Sequence, residues 1–203
     1  MLQKFKVVIE CNHKYKRFGS RRKAVFLGTA TRLDRKTYQQ DAVLLGPQLL
    51  GKLLCRRING EIIKNRVTET ESYCGVEDTA CHAHKGRSKR TEAMYLEGGH
   101  VYVYLCYGRH FMLNIVAGPK DSPEAVLIRG IVGYNGPGKL TKAMEIDHRL
   151  NGETLLTSNE LWLEDDGYQC KYTSLKRIGI GYAIKEDRNK LWRFCMASMA
   201  SND

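Results

Sequence analysis

The chain has 203 residues, 42% hydrophobic and 27% charged, enough for one domain with a real core and too few for two generous ones. Its 33 Lys and Arg against 22 Asp and Glu give a net charge of +11, so a polyanion or an anionic membrane is the first partner to consider. No run approaches the roughly 18 to 20 uncharged apolar residues of a membrane span. The N-terminus lacks the apolar core of a secretory signal, and seven cysteines, never spaced as Cys-x-x-Cys, disfavour a disulfide framework or a zinc ribbon. The chain reads as soluble and intracellular, with reduced and mostly buried thiols.

The charge is unevenly placed. Residues Met1 to Lys36 hold eleven basic side chains against Glu10 and Asp34, a net of +9, which leaves +2 for the other 167 residues. With few apolar residues and no consistent period, residues 1–38 read as a largely disordered basic tail with room for a short docked segment. Its clusters Lys14–Arg17 and Arg21–Lys23 suit DNA tethering, nuclear import or plain solubility. The folded body is placed at residues 39–203.

Asp41 can cap a short helix through Leu45, and Pro47 can open a second one running to Leu54. Leu53 to Ile58, Asn59-Gly60 and Glu61 to Glu69 then form the clearest local signal, a β-hairpin with the dipeptide of a type I′ turn. Val101 to Cys106 alternates strictly, and Phe111 to Val116 follows after Tyr107-Gly108-Arg109-His110, giving a second hairpin. Ala125 to Val132 is apolar except for Arg129. Gly136-Pro137-Gly138 leads into a weakly amphipathic helix with Leu140, Ala143, Met144 and Asp147 on one side. Leu161 to Leu163, Ile178 to Gly181 and Leu191 to Met196 read as further strands. Strand runs outnumber helices, which points to a mixed α/β or α+β domain around a mostly antiparallel sheet.

Three constellations can carry chemistry. Glu69, Glu71 and Tyr73 share one face of a strand, and two carboxylates there are costly unless exposed or used. Arg129, in an apolar run, needs a carboxylate partner, and Glu71 is a natural one; a half-buried Glu held ionised by Arg is what a water-activating base looks like. Cys74, Cys81, His82 and His84 match none of the usual zinc spacings, so no metal is assigned. Gly133-x4-Gly138-Lys139 meets the phosphate-loop pattern except that Leu140 stands in place of the Ser/Thr hydroxyl, and Pro137 removes a cradling N–H. Nucleotide hydrolysis is disfavoured, and a helix start with Gly138 and Lys139 either seats a single backbone phosphate or is an ordinary cap. Tyr107, beside a turn glycine and the cations Arg109 and His110, would project rather than pack and suits insertion into a base stack.

In order, Val67-Thr-Glu-Thr-Glu71-Ser-Tyr73-Cys-Gly75, Glu77-Asp78 to His82, Val101-Tyr-Val-Tyr104-Leu-Cys-Tyr107-Gly108, Phe111-Met-Leu-Asn114-Ile115, Leu127-Ile-Arg129, Asn135-Gly-Pro-Gly-Lys-Leu140 and Arg177-Ile-Gly-Ile-Gly181 resemble the methylpurine (alkyladenine) DNA glycosylases of the mammalian type. The resemblance covers some four-fifths of the chain. It implies an α+β fold, a single compact domain on a curved, mostly antiparallel β-sheet with flanking helices and a protruding β-hairpin. It also implies a monofunctional DNA glycosylase of base excision repair that needs no cofactor. Such an enzyme acts as a monomer on double-stranded DNA containing damaged purines, in the nucleus of a eukaryote or otherwise in the cytoplasm.

By position, Glu71 falls on the general base that activates water. Arg129 helps hold that water, and the Ile178 carbonyl is its third ligand. Tyr73, His82 and Tyr104 sandwich the flipped base, whose edge is read by the His82 N–H. Asn114 excludes the 2-amino group of guanine, Leu127 is a pocket wall, and Tyr107 fills the gap in the stack. Departures are Arg109 and His110 in place of uncharged residues, a longer loop over 118–124 and a shorter one over 88–93. The rival expectation is a non-catalytic DNA- or RNA-binding protein that uses the tail and the Tyr107 hairpin.

Overall fold

The computed structural model describes residues 29–197, and its first elements lie inside the stretch expected to be a tail. Thr31–Arg32 (β1) pairs antiparallel with Glu164–Asp165, and the Arg32 guanidinium stacks over Trp162 while donating to the Leu156 and Ser158 carbonyls. Asp34 caps the short helix α1 (Arg35–Tyr38), whose last residue is fully buried. A Cβ on Gly98 would meet the Tyr38 carbonyl oxygen at 2.2 Å, so the bare backbone there lets the two segments close. The docked segment is therefore residues 31–38. Leu33 and Tyr38 carry it into the core, and composition dominated by Lys and Arg hides them. The clusters Lys14–Arg17 and Arg21–Lys23 lie outside the described residues.

Helix α2 (Ala42–Gln48) starts at Asp41, whose side chain accepts from the Leu44 N–H. It is one helix with Pro47 inside it, not two, and Leu53 and Leu54 belong to the next strand. Gly46 is needed on its inner face: a Cβ would come within 2.5 Å of Ser72 Oγ and 2.8 Å of the Phe194 ring. The hairpin of β2 (Leu53–Ile58) and β3 (Glu61–Cys74) forms as expected, with Asn59 and Gly60 at φ 49° and 84°. The second hairpin joins β4 (Val101–Cys106) to β5 (His110–Ala117), and β6 (Glu124–Ile131) returns beside β5.

A tight turn at Gly133 leads through β7 (Tyr134–Asn135) to α3 (Pro137–Ala143), which ends earlier than the periodicity suggests because Glu145 turns left-handed at φ 47°. The remaining elements are β8 (Leu161–Asp165), β9 (Tyr172–Leu175), α4 (Lys185–Asn189) and β10 (Arg193–Met196). Ile178 to Gly181 is not a strand. Gly179 at φ 79° breaks the extension, and of the two isoleucines only Ile180 is buried.

Every strand pairing is antiparallel, in the order β1-β8-β2-β3-β6-β5-β4, with β10 joining β3 to β9. The long strand β3 serves both halves of this open α+β sheet: residues 61–66 pair with β2, and Val67 to Cys74 pair with β6. The main core packs α2 and α3 against the sheet. A second cluster around Ala83, Met94, Tyr102 and Val116 lies on the other side. Among the described residues no helix is long and apolar enough to cross a membrane.

Candidate active site

Alternation along β3 divides its end between two tasks. Thr70 and Ser72 point to the core side and donate to the Gly46 and Ala42 carbonyls of α2. Glu69, Glu71 and Tyr73 point the other way. Cross-strand register then does what sequence spacing cannot: Tyr102 pairs with Asn114, Asn114 with Leu127, Leu127 with Glu71, and Glu71 with Arg193. These five residues form one lateral row across β4, β5, β6, β3 and β10. Residues directly opposite in a sheet share a face, so expected site residues up to 56 positions apart, Glu71 to Leu127, come together on one surface.

Glu71 is fully buried, and each of its carboxylate oxygens accepts one hydrogen bond. The Ile178 N–H donates to Oε1 at 2.9 Å and the Tyr73 hydroxyl to Oε2 at 2.9 Å, with Arg129 Nε 3.6 Å from Oε1. Burial raises its pKa above the ordinary 4.5, while Arg129 and the two hydrogen bonds pull the other way. Arg129 lies closer to Glu69, at 3.2 Å, and Arg193 also reaches Glu69, at 2.9 Å. The expected Glu71–Arg129 pair is thus part of a cluster of two carboxylates and two guanidiniums. A register irregularity around Glu69 sets Arg129 between the two glutamates.

The aromatic residues line a cleft of about 490 Å³ in front of Glu71, together with Leu127, Arg129 and Ile178. His82 Nδ1 is 2.9 Å from the Tyr102 hydroxyl, and its ring meets Tyr104 edge-on at 4.5 Å. Burial and the nearby Arg90 charge lower its pKa to about 4, so its imidazole is neutral at pH 7. Asn114 donates to the Tyr102 and Met112 carbonyls and faces a smaller cavity of about 40 Å³ behind the same rings. Burial and the Glu71 charge push the Tyr73 phenol well up, which keeps it a hydrogen-bond donor.

At the hairpin tip Tyr107 is 93% exposed, with φ at 49°. Arg109 and His110 are exposed beside it. His110 lies against the start of α3, where a Cβ on Gly138 would fall 2.8 Å from its ring, so His110, Gly138 and the exposed Lys139 form one ledge. The residues weighed for zinc have other partners: the His84 ring accompanies the Val76 carbonyl, and Cys81 the Pro123 carbonyl. Among the described residues no group of three or more His, Cys, Asp or Glu side chains gathers to hold a metal.

Sequence reasoning assigns no role to Arg177 and Asp78, which form a fully buried ion pair at 2.5 Å. Arg177 also donates to the Ser72 and Asp187 carbonyls and stacks over Tyr73 at 4.9 Å, while Asp78 accepts from the Cys74 and Ala80 N–H groups. The pair holds in place the loop that presents the Ile178 N–H to Glu71. Both residues lie in motif runs, yet nothing in the sequence says that they meet across 99 positions. Arg90, 5.5 Å from the centre of the Tyr104 ring, and Tyr182, at the cleft mouth, carry no sequence signal either.

A family model described as methylpurine-DNA glycosylase (MPG) matches residues 36–134 and 132–200. A protein of Borrelia garinii subsp. bavariensis is 46% identical over 175 residues, covering 80% of this chain and 94% of that relative. Proteins of Natranaerobius thermophilus and Clostridium perfringens are 44% and 41% identical over 187 and 194 residues, with the same coverage. All three are provisionally named 3-methyladenine DNA glycosylases.

Proposed function

This chain belongs to the methylpurine-DNA glycosylase family and is a DNA glycosylase, a hydrolase of the N-glycosidic bond; from that premise we propose that it flips alkylated or deaminated purines out of duplex DNA and releases them with a water activated by Glu71. The substrates are 3-methyladenine and 7-methylguanine, with hypoxanthine and ethenoadenine as further candidates, and the enzyme works as a monomer. Glu71 carries the reading: a fully buried carboxylate facing an aromatic cleft, held by the Ile178 N–H, the Tyr73 hydroxyl and Arg129.

Glycosidic cleavage develops positive charge on the sugar, and an ionised carboxylate beside it stabilises that charge and directs the water. Glu71 takes a proton from the water, the oxygen bonds to C1′, and the bond to the base breaks with its electron pair leaving on the base. An alkylated cationic base leaves neutral; a neutral lesion must gain a proton, and no residue is assigned as its acid. Arg129 and the Ile178 carbonyl orient the water. Tyr73, His82 and Tyr104 stack on the extruded base, offsetting part of the few kcal/mol that flipping costs. Leu127 bounds the slot, Asn114 excludes the guanine 2-amino group, and Tyr107 fills the vacated stack while Arg109, His110, Gly138 and Lys139 meet phosphates. Among the described residues no lysine lines the cleft as a nucleophile, so the expected product is an abasic site.

The test is Glu71→Gln on duplexes containing 3-methyladenine, 7-methylguanine, hypoxanthine or ethenoadenine. Base release should slow by roughly two to four orders of magnitude while lesion binding survives. Release at the wild-type rate would show that Glu71 does not activate the water, and no release by the wild-type protein itself would favour a non-catalytic DNA-binding protein.

A further inference from the structure

Four rings, Tyr73, His82, Tyr104 and Tyr182, line both the outer cleft of about 490 Å³ and the inner cavity of about 40 Å³ that Asn114 faces. On that measure about 10–15 Å³ accommodates one water, so the inner space holds a few waters and not a purine. A base that reaches Asn114 must therefore part the rings.

The four walls are not equally tethered. Tyr73 is held by its hydrogen bond to Glu71 and by the Arg177 guanidinium over its ring. His82 is fixed by the Tyr102 hydroxyl and by edge contact with Tyr104, and Tyr104 is a strand residue between the rings of His82 and Tyr102. Tyr182 is 68% exposed and is held by one neutral hydrogen bond, from its hydroxyl to the Ala80 carbonyl at 2.8 Å. The backbone on either side of it is anchored, because Ile180 and Ala183 are buried against Ala80. The side chain can therefore swing without moving the loop, and a Cβ on the preceding Gly181 would meet nothing within 4 Å.

We propose that Tyr182 is the movable wall of the base slot and a specificity-determining residue that sets the size of the lesion admitted. The inference rests on the glycosylase reading above. A wall tethered by one hydrogen bond yields to a purine-sized base at small cost and resists one enlarged by a fused ring.

The experiment compares single-turnover release of ethenoadenine and hypoxanthine, two neutral lesions of different size, in otherwise identical duplexes. Tyr182→Ala should raise the ethenoadenine-to-hypoxanthine rate ratio by about tenfold, the scale on which a pocket discriminates small steric differences. Tyr182→Phe, which keeps the ring and loses the tether, should shift it the same way by less. A ratio unchanged in Tyr182→Ala, or both rates falling by the same factor, overturns the proposal. Wild-type protein that releases neither base, and no 3-methyladenine or 7-methylguanine either, would overturn the glycosylase reading instead. The wall is then judged on binding: Tyr182→Ala should lower the ethenoadenine-to-hypoxanthine ratio of dissociation constants, and a ratio that stays or rises overturns the proposal.

Discussion

The aromatic cleft and the hairpin tip, which the proposed function sets against the same DNA, are built in opposite ways. In the cleft Glu71 is fully buried with both carboxylate oxygens engaged, and the loop beside it is locked by a buried Arg177–Asp78 pair. At the tip Tyr107 is 93% exposed and adopts a left-handed φ of 49°, where glycine or asparagine would be cheaper. Such a backbone costs on the order of 1–3 kcal/mol and persists only where surrounding structure imposes it, here the Cys106–His110 pairing. A ring held at that cost with so little packing adds little to the stability of the fold. The contrast separates two requirements: transition-state stabilisation needs groups already desolvated and oriented, whereas entry into a base stack needs a side chain that the fold leaves free.

That contrast can be broken at several points. The largest effect is expected from Glu71→Gln, which should slow release by roughly two to four orders of magnitude in single-turnover assays while leaving lesion affinity near wild type. Next comes Asp78→Ala, which strands the Arg177 charge in the interior and should cost about 3–5 kcal/mol in denaturant unfolding. Tyr107→Ala should weaken lesion-duplex binding by about 1–3 kcal/mol, the worth of one stacked base, with an unchanged unfolding midpoint; unchanged affinity would show that the ring makes no contact with DNA.

The smallest effect concerns pH. Burial raises the Glu71 pKa above 4.5 and the base must be ionised, so activity should fall as pH falls through that raised value. The Tyr73 hydroxyl favours the ionised form, so Tyr73→Phe should move this acid limb of the pH–rate profile to higher pH. A limb that stays put would show that Tyr73 serves only for stacking.

Much of the fold was legible wherever a local rule applies. Asn59-Gly60 demands a type I′ turn, strict alternation marks β4, and Asp41 caps α2, all from neighbours in the chain. Readings failed where distant contacts override local preference. Residues 31–38 look like tail until Leu33 and Tyr38 find the core, Pro47 does not split α2, which packs on Ser72 and Phe194, and Ile178 to Gly181 turns at Gly179 beside the Arg177 that ties it to Asp78.

The candidate site divides in the same way. Period-two alternation alone puts Glu69, Glu71 and Tyr73 on one face and Thr70 and Ser72 on the other, since a pleated strand has no alternative. Which residues of other strands join them depends on register, which is settled only when whole strands bury their apolar faces together. Only the tertiary structure therefore decides that Tyr102, Asn114, Leu127, Glu71 and Arg193 stand in one row, that Arg129 is shared between two glutamates, and that Arg177 meets Asp78.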